Sequence, residues 1–478
     1  MDQLTASELA DLVGGRLVGG PAVIVGPDVV IDSRLATPGA LFLALPGERS
    51  DGHDFVAAAV AAGASAVLVT RPVDTPAAQV VVDDTTQALG RLATAVVARA
   101  RLRGLVCVGI TGSSGKTSTK DLLAAVLRAG GVTVAPQGSF NNEIGVPLTA
   151  CGVDVHTRFL VAEMGARGQG HVAHLCRIVP PDVGVELNVG HAHLGEFGSV
   201  GAIAQAKGEL VEALAPDGWA VLNADDPLVL AMAGRTEARV ATFSVRGEPE
   251  SGELRVWAEN ISADAWQRHS FVMHAAGISR ADAAVTLQVS GAHQVGNALA
   301  AATVGLIEGL DAAAVAGALS EASAVSRWRM EILQRGDGAL VVNDAYNANP
   351  DSMRAALTAL AGMRRPSGLL VAVLGDMLEL GIEAAAQHQA VGELAAQLGV
   401  DDVIAVGEFA SDLVAGARRG GAEAVAVPSR EAAFEAALGL VSPQDVVLVK
   451  ASRGLALESV AERLASGVAA GHGEGATA

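Results

Sequence analysis

One glycine-rich segment constrains this chain more than any other feature of its sequence. Residues 109–118 read Gly-Ile-Thr-Gly-Ser-Ser-Gly-Lys-Thr-Ser and separate two apolar patterns. The pattern before the segment is typical of a buried parallel strand and consists of Leu105, Val106, Val108 and Ile110. The pattern after it has helical spacing and consists of Leu122, Leu123, Val126 and Leu127. A buried strand that turns sharply into a helix predicts an α/β fold.

The residue types of this segment are suited to binding the phosphates of a nucleotide. Glycines let backbone N–H groups turn toward phosphate oxygens, and the start of the following helix adds partial positive charge. Lys116 supplies a mobile cation, and Thr117 supplies a hydroxyl for magnesium. The predicted phosphate contacts are Gly112, Ser113, Ser114, Gly115, Lys116, Thr117 and Ser118. The alternative is a glycine-rich turn without a ligand, but the register of strand, loop and helix favours the phosphate site.

Composition limits the partners and the compartment. The formal net charge of −19 argues against nonspecific binding to nucleic acid or to anionic membranes. Three cysteines without the spacing of a metal site predict neither a disulfide framework nor a zinc site. The sequence shows no charged-then-apolar leader and no apolar run long enough for a membrane span. We therefore expect a cytoplasmic protein that is not inserted into a membrane.

Length and pattern together predict three domains. A chain of 478 residues is long enough for about three domains of ordinary size. The first, at residues 1–104, has short strands and ends in a connector rich in arginine. The second occupies residues 105–326 and contains the phosphate loop. The third, at residues 327–478, alternates strands and helices as a doubly wound domain, and we expect its tail after residue 467 to be disordered.

Polar clusters follow several predicted strands of the second domain. They stand at Glu163, at residues 188–193 and at residues 223–226. Ligands of open α/β sheets bind outside the carboxyl ends of the strands. We therefore expect these clusters to meet the phosphate loop in one crevice.

Further motifs occur in a fixed order along the chain. They are the phosphate loop, Glu163 after a strand, and the segments at residues 190–198, 206–208, 291–297 and 344–350. Together they resemble the motifs of the Mur ligases of peptidoglycan synthesis over nearly the whole chain. Within that family, residues 141–147 and 374–381 are similar to the enzymes that use D-alanyl-D-alanine.

The resemblance implies a particular α/β architecture of three domains. A small N-terminal α/β domain would bind the UDP-sugar, a central P-loop ATPase-like domain would bind ATP, and a C-terminal Rossmann-like doubly wound domain would complete the site. In the first domain, Ser33 and Arg34 would contact the pyrophosphate. Backbone groups around Gly52 and His53 would approach the uracil.

The resemblance also implies a reaction. ATP would phosphorylate the terminal carboxylate of UDP-N-acetylmuramoyl-tripeptide, and the amine of D-alanyl-D-alanine would then displace phosphate from the acyl phosphate. The protein would act as a monomer. The alternatives are a sister ligase that adds one amino acid, a noncatalytic nucleotide-binding partner subunit, and folylpolyglutamate synthase, which shares the ATPase core but lacks a UDP-sugar domain. Residue three of the tripeptide, lysine or diaminopimelate, stays open.

The resemblance to the Mur ligase motifs also implies roles for residues around the metal ions. Lys116 would contact the β- and γ-phosphates, and Thr117 and Glu163 would hold one magnesium ion. His193 and Lys207, the latter as a carbamate, would hold a second. His191 competes with His193 for that role. We expect His171 and His174 to be capping or surface residues rather than ligands.

Family position also assigns the nucleotide and peptide contacts. Asn297 would contact adenine, and Asp344 would hold the ribose hydroxyls. An arginine at the start of the third domain would reach the γ-phosphate, and of Arg327 and Arg329 we favour Arg327. The predicted substrate contacts in the second and third domains are Asn141, Asn142, Tyr346 and Asn347. For Tyr346, a core position with a satisfied hydroxyl is the alternative.

Overall fold

The first unit of the chain is a small α/β layer. The computed structural model describes residues 1–47, 50–190, 194–278, 280–323 and 325–467. The elements of the first unit are β1 (Leu4–Thr5), α1 (Ala6–Val13), β2 (Arg16–Val18), β3 (Ile24–Val25), β4 (Val29–Val30), β5 (Leu41–Leu43), α2 (Val56–Ala61), β6 (Ala66–Val69), β7 (Ala78–Val81) and α3 (Thr85–Arg101). One sheet has the order β2, β7, β6, β5, β4, with β2 antiparallel to its neighbour, and β1 pairs with β3 separately.

A long sheet forms the centre of the molecule. Its segment contains β8 (Val106–Thr111), α4 (Lys116–Arg128), β9 (Thr133–Val134), α5 (Gly145–Ala150), β10 (Phe159–Glu163), α6 (His171–Ile178), β11 (Val183–Glu186), α7 (Leu194–Phe197), α8 (Val200–Lys207), α9 (Glu209–Glu212), β12 (Trp219–Asn223), α10 (Pro227–Leu230), β13 (Arg239–Ser244), β14 (Leu254–Ala263), β15 (Arg268–Gly277), β16 (Ala281–Ser290), α11 (His293–Ile307) and α12 (Ala312–Glu321). The sheet order is β16, β15, β14, β13, β12, β11, β8, β10, β9. Neighbouring strands from β9 through to β14 in this order pair in parallel. The pairs β14–β15 and β15–β16 are antiparallel.

The central sheet is covered on both faces, as parallel sheets require. One face packs against α4, α11 and α12 through Leu123, Val126 and Leu299, which are fully buried. The other face shares a continuous apolar core with the first unit, where α3 packs against α5 and α6. The first unit therefore lies beside the α6 side of the central sheet.

The last unit is a doubly wound layer. Its elements are β17 (Glu331–Gln334), β18 (Leu340–Asn343), α13 (Pro350–Gly362), β19 (Leu370–Gly375), α14 (Ala384–Gln397), β20 (Asp402–Val406), α15 (Ala410–Gly420), β21 (Glu423–Val427), α16 (Arg430–Leu440), β22 (Val446–Lys450) and α17 (Glu458–Ser466). The sheet order is β17, β18, β22, β19, β20, β21, and all neighbours except β17 and β18 are parallel. Separate apolar clusters cover its two faces.

The α/β class and the doubly wound third layer predicted from the sequence are confirmed. The antiparallel extension β14 to β16 and the antiparallel edge strand β17 were not predicted. The expected disorder after residue 467 concerns residues that lie outside the described part of the chain. In the described ranges, the structure contains no helix with the length and apolar character of a membrane span.

Candidate active site

A cleft of about 1110 Å³ opens between the central sheet and the third layer. Its central wall contains the phosphate loop and the residues that follow β10, β11 and β12, among them Glu163, Asn188 and Asn223. Its opposite wall belongs to the third layer and includes Arg329 and Tyr346. The polar clusters expected at the carboxyl ends of the strands thus meet in one crevice with the phosphate loop.

The phosphate loop has a backbone that requires glycine at two positions. Gly112 has φ +156° and Gly115 has φ +82°. A Cβ atom on Gly115 would lie 2.7 Å from Oδ1 of Asn297. The backbone N–H of Ser113 donates to the carbonyl of Asn188 at 2.9 Å, and the N–H of Ser114 donates to its side-chain oxygen at 2.9 Å. The end of β11 therefore fixes the loop before a ligand binds.

Lys116 occupies the first position of α4, directly after the loop. Its Nζ donates to the Gly112 carbonyl at 2.6 Å. Burial lowers the pKa of Lys116, while the nearby Glu163 carboxylate opposes that shift. A cation held at the start of a helix beside backbone N–H groups is suited to binding phosphate.

Two oxygen donors of the predicted metal site lie together. The Thr117 hydroxyl donates to Glu163 Oε2 at 2.9 Å, and Asn141 Nδ2 donates to Glu163 Oε1 at 2.8 Å. Glu163 is only 1 % exposed. Within the described ranges no group of three or more His, Cys, Asp or Glu side chains could hold a metal ion. One carboxylate and one hydroxyl still fit magnesium, because this ion keeps several waters and takes its other ligands from substrate phosphates.

The two candidate arginines have different surroundings. Arg327 does not line the cleft: its Nη2 donates to Glu462 at 2.7 Å, and its side chain is 65 % exposed. Arg329 lines the cleft, stacks on Tyr346 at 4.3 Å and donates to Ser139 Oγ at 2.8 Å. Ser139 Oγ lies 2.7 Å from Thr117 Oγ1, so Arg329 rather than Arg327 reaches the phosphate loop.

Lys207 lies at the end of α8 in the wall of the cleft and is 3 % exposed. Burial lowers its pKa, and the neighbouring Lys116 adds to that effect. Its closest electrostatic neighbour of opposite charge is Glu186, the last residue of β11. Glu186 is completely buried, neither of its carboxylate oxygens has a hydrogen-bond partner among the described residues, and burial raises its pKa. Lys207 is therefore not an ordinary solvated helix lysine.

The predicted nucleoside contacts line the same cleft, and Asn297 lies against Gly115 of the phosphate loop. Asn297 is 6 % exposed on α11, and its amide donates to Gln294 at 2.9 Å. Asp344 follows β18 and accepts from Lys450 Nζ at 2.6 Å and from the Met330 N–H at 3.1 Å. Lys450 comes from the last strand of the same sheet, so the acidic side chain is held in place before any ribose binds.

The predicted peptide contacts in the cleft are divided between its two walls. Asn142 accepts from the Gly145 N–H at 2.9 Å, so its side chain positions the start of α5. Tyr346 is half-buried in the opposite wall rather than in a core, and Asn347 is exposed beside it. Asn141 is fixed by Glu163, as described above.

The candidates in the first unit lie apart from this cleft. Ser33 and Arg34 form a short 3₁₀ turn, and the Arg34 side chain is 85 % exposed and paired with Asp32 at 2.6 Å. His53 is buried: its Nδ1 lies 2.6 Å from Asp51, and its Nε2 accepts the Thr70 N–H at 3.0 Å. Gly52 approaches Leu45 so closely that a Cβ would lie 2.6 Å from its backbone.

The structure can be compared with the predictions for only two of the four histidines considered in the second domain. His193 and its competitor His191 lie outside the described residues. His171 and His174 were expected to be capping or surface residues, but both line the cleft, and α6 has no side-chain cap. Sequence reasoning also missed Ser139 and Arg167, which line the cleft from loops without any recognisable spacing.

Comparison with family models matches the chain in three segments. Residues 28–97 match the model described as "Mur ligase family, catalytic domain", and residues 110–305 match "Mur ligase middle domain". Residues 328–453 match "Mur ligase, glutamate ligase domain".

Similar proteins cover nearly the full chain. The UDP-N-acetylmuramoyl-tripeptide--D-alanyl-D-alanine ligase of Mycobacterium tuberculosis is 46 % identical over 97 % of this chain and 98 % of its own length. The Escherichia coli protein of the same name is 37 % identical over 97 % of this chain and 99 % of its own. A crystal structure of MurF from Acinetobacter baumannii has a TM-score of 0.85 at 33 % identity and covers 97 % of this chain and 99 % of that one. The structure of MurF from Thermotoga maritima in complex with ADP has a TM-score of 0.75 at 28 % identity. It covers 92 % of this chain and 97 % of that one.

Proposed function

The chain belongs to the Mur ligase family, and from that premise we propose that it joins D-alanyl-D-alanine to UDP-N-acetylmuramoyl-tripeptide at the expense of ATP. The observation that carries the proposal is one cleft in which a phosphate loop, a buried carboxylate and an arginine of the third layer meet. Relatives that span the same length are named for this reaction. The three domains would comprise residues 1–104, 105–326 and 327–478.

The first step transfers the γ-phosphoryl group to the terminal carboxylate of the tripeptide. A carboxylate oxygen attacks phosphorus, the bond to the β-phosphate oxygen breaks, and ADP leaves. Lys116 and the first N–H groups of α4 neutralise the charge on the phosphates. Arg329 replaces Arg327 as the arginine that reaches the γ-phosphate, because only Arg329 is directed toward Ser139 and Thr117.

The second step forms the amide. The uncharged amine of D-alanyl-D-alanine attacks the acyl carbon, the bond between that carbon and the phosphate oxygen breaks, and phosphate leaves with the electron pair. The amine loses one proton to solvent. Tyr346 and Asn347, beside Arg329, would bind the dipeptide on the third-layer side, and Asn141 and Asn142 would bind the tripeptide on the other. Ser33, Arg34, Gly52 and His53 would bind the UDP group.

Asn297, beside the phosphate loop, and Asp344, in the opposite wall, would bind adenosine. The complex of a 28 % identical relative with ADP supports ATP as the nucleotide. Lys450 holds Asp344 in place at 2.6 Å, which leaves the second carboxylate oxygen to the Met330 N–H and to a ligand.

Magnesium and a carbamate on Lys207 belong to the proposal. Thr117 and Glu163 would hold one ion and His193 with carbamylated Lys207 a second, which would neutralise phosphate charge. Carbon dioxide reacts with a neutral amine, and burial of Lys207 enlarges its neutral fraction. The product carries a carboxylate-like group, which suits a hard cation better than an ammonium does.

We also propose that the protein acts as a cytoplasmic monomer. All three cysteines are free and buried, as expected in a reducing compartment.

One incubation tests the proposed reaction. With ATP, magnesium, UDP-N-acetylmuramoyl-tripeptide and D-alanyl-D-alanine, the product should have the mass of the tripeptide conjugate plus the dipeptide minus one water. Phosphate release should require both substrates. Equal release with free D-alanine or glutamate would instead indicate a sister ligase, and the absence of any turnover would indicate a noncatalytic subunit. Tripeptides with lysine or diaminopimelate at residue three identify the preferred substrate.

A further inference from the structure

Arg167 lies in the wall of the cleft without a role in the reaction as described above. It follows β10 by four residues, is exposed, and lines the cleft together with Asn141 and Asn142. Among the described residues no carboxylate forms an ion pair with its guanidinium. Of the other arginines that line the cleft, Arg453 pairs with Glu458 at 2.6 Å, whereas Arg246 and Arg329, like Arg167, form no ion pair among the described residues. An available guanidinium inside a substrate cleft favours an anionic ligand group.

Glu209 is bound to the backbone at the start of α6, which follows the loop that carries Arg167. Glu209 Oε1 accepts from the Gly170 N–H at 2.6 Å, and Glu209 Oε2 accepts from the Ala173 N–H at 3.0 Å. Both oxygens of this acidic side chain therefore bind the start of α6, and neither forms an ion pair with Arg167.

Two histidines extend the polar surface around Arg167. His171 and His174 are three residues apart on α6, so their side chains share one face of the helix, and both line the cleft. The backbone N–H of Arg167 donates to His171 Nδ1 at 3.4 Å. In that arrangement His171 carries its own proton on Nε2, which can donate to a ligand oxygen.

The position of this cluster matches one part of the substrate. α6 packs against α3 of the first unit, while Glu163, four residues before Arg167, lies beside the phosphate loop. A substrate whose UDP group binds the first unit and whose terminal carboxylate meets the γ-phosphate passes along this wall. The residue before the phosphorylated end would therefore lie beside Arg167.

The chemistry of that residue is known from the name of a similar protein. An Acinetobacter baumannii relative, 31 % identical to this chain, is described as acting on a UDP-N-acetylmuramoylalanyl-D-glutamyl-2,6-diaminopimelate. A glutamyl residue inside a peptide always keeps one carboxyl group that no peptide bond uses. This carboxylate precedes residue three, whichever residue occupies that position.

We propose that Arg167 binds the free carboxylate of the glutamyl residue of the tripeptide, with His171 and His174 as further hydrogen-bond donors. The inference rests on the proposed function and adds a specificity-determining residue to it. A planar guanidinium can donate two parallel hydrogen bonds to a carboxylate, which fixes the peptide as well as attracting it.

A double-mutant cycle, with one change in the protein and one in the substrate, tests the contact between Arg167 and the glutamyl carboxylate. The protein is changed by Arg167→Gln, and the substrate by converting the free glutamyl carboxylate into a carboxamide. Either change alone should raise KM for the tripeptide about 30-fold, since charge-assisted hydrogen bonds of this kind are lost. Both changes together should raise it little further, because the contact is already absent. KM for ATP and for D-alanyl-D-alanine should stay within about twofold.

The controls separate this contact from other causes. Arg177→Gln removes an exposed arginine of α6 that does not line the cleft, and it should leave every KM unchanged. Because Arg167 is exposed, Arg167→Gln should unfold at the parental temperature. A KM for the tripeptide that Arg167→Gln leaves unchanged, or effects of the two changes that multiply, would overturn the proposal. The proposal would also fail if Arg167→Gln raised KM for the parental tripeptide but not for a tripeptide amidated on a carboxylate of residue three. That result would assign the contact to residue three rather than to glutamate. Turnover of the unmodified substrate by the parent protein reports separately on the proposed function.

Discussion

The two walls of the cleft are built in different ways. In the central wall, the phosphate loop, Glu163 and Asn188 follow neighbouring strands β8, β10 and β11 of one sheet, and they hydrogen-bond to each other or to shared neighbours. The opposite wall consists of residues from the third layer, which reach the loop through single side chains. Arg329 makes this connection through Ser139. The central wall is therefore fixed by its own sheet, whereas the site as a whole depends on how the third layer is placed.

Polar contacts between described residues of the central unit and the third layer contribute to that placement. The Gly195 N–H donates to the Glu379 carbonyl at 3.0 Å, and Gln267 Nε2 donates to the Gly362 carbonyl at 3.0 Å. Inter-domain contacts of this kind permit relative motion, and ligands favour the arrangement that offers them more contacts. We therefore expect changes in the central wall to abolish chemistry and changes at the junction to weaken it.

The largest effect is expected from Lys116→Ala. Removing the cation at the start of α4 leaves the transferring phosphoryl group without a preorganised positive charge, and kcat should fall about 10³-fold. Phosphate release at saturating substrates measures this. Arg128→Ala, an exposed change at the other end of α4, is the control and should keep parental activity. Near-normal turnover of Lys116→Ala would remove the phosphate loop from the mechanism.

Lys207→Ala should lower kcat about 10²-fold, the range seen when a metal site loses a ligand or its support. Short carboxylic acids in the assay should restore part of the activity, because they replace the carbamate. Depleting carbon dioxide should inactivate the parent but should not affect the variant. Active, metal-loaded protein with an unmodified Lys207, seen by native mass or in electron density, would rule out the carbamate. Thermal unfolding checks that the variant is folded.

A smaller effect is expected at the junction. A Cβ atom on Gly195 would lie 2.8 Å from the Glu379 carbonyl oxygen and 2.8 Å from the Gly381 nitrogen, so Gly195→Ala must push the two layers apart. We expect kcat to fall about tenfold while ATP binding is kept. Gly201→Ala, in the nearby helix α8, has no such close neighbour and serves as the control. Equal kinetics for the two variants would mean that this contact does not place the third layer.

The contrast between the central wall and the third-layer wall also explains what could be predicted from the sequence. The phosphate loop and Glu163 lie at the ends of strands, so the pattern of the sequence predicted that they would meet in one crevice, as they do. The sequence favoured Arg327, although only Arg329 of the two lines the cleft, because the intervening backbone follows neither a helix nor a strand. Trp328 has φ +61° and Met330 has φ +51°, in the left-handed region that residues other than glycine rarely adopt. Without a regular repeat, the direction of either arginine could not be inferred.

Ser139 and Arg167 were missed for a related reason. Both belong to loops that are brought to the cleft by the packing of α5 and α6, and neither forms part of a recognisable motif. Conversely, His171 and His174 were assigned to the surface from helical spacing alone. Their exposure was correct, but the spacing could not show that this surface faces the cleft.

The central claim is that the third layer completes a nucleotide site already built in the central wall. Arg329→Ala and Arg327→Ala test it side by side, with the dissociation constant of an ATP analogue and kcat measured for each. We expect Arg329→Ala to bind the analogue within about threefold of the parent and to lose about 10²-fold in kcat, because its charge acts on the transferring group. Arg327→Ala, which loses only an exposed pair with Glu462, should keep both values. Parental kcat in Arg329→Ala, or the larger loss in Arg327→Ala, would contradict the account.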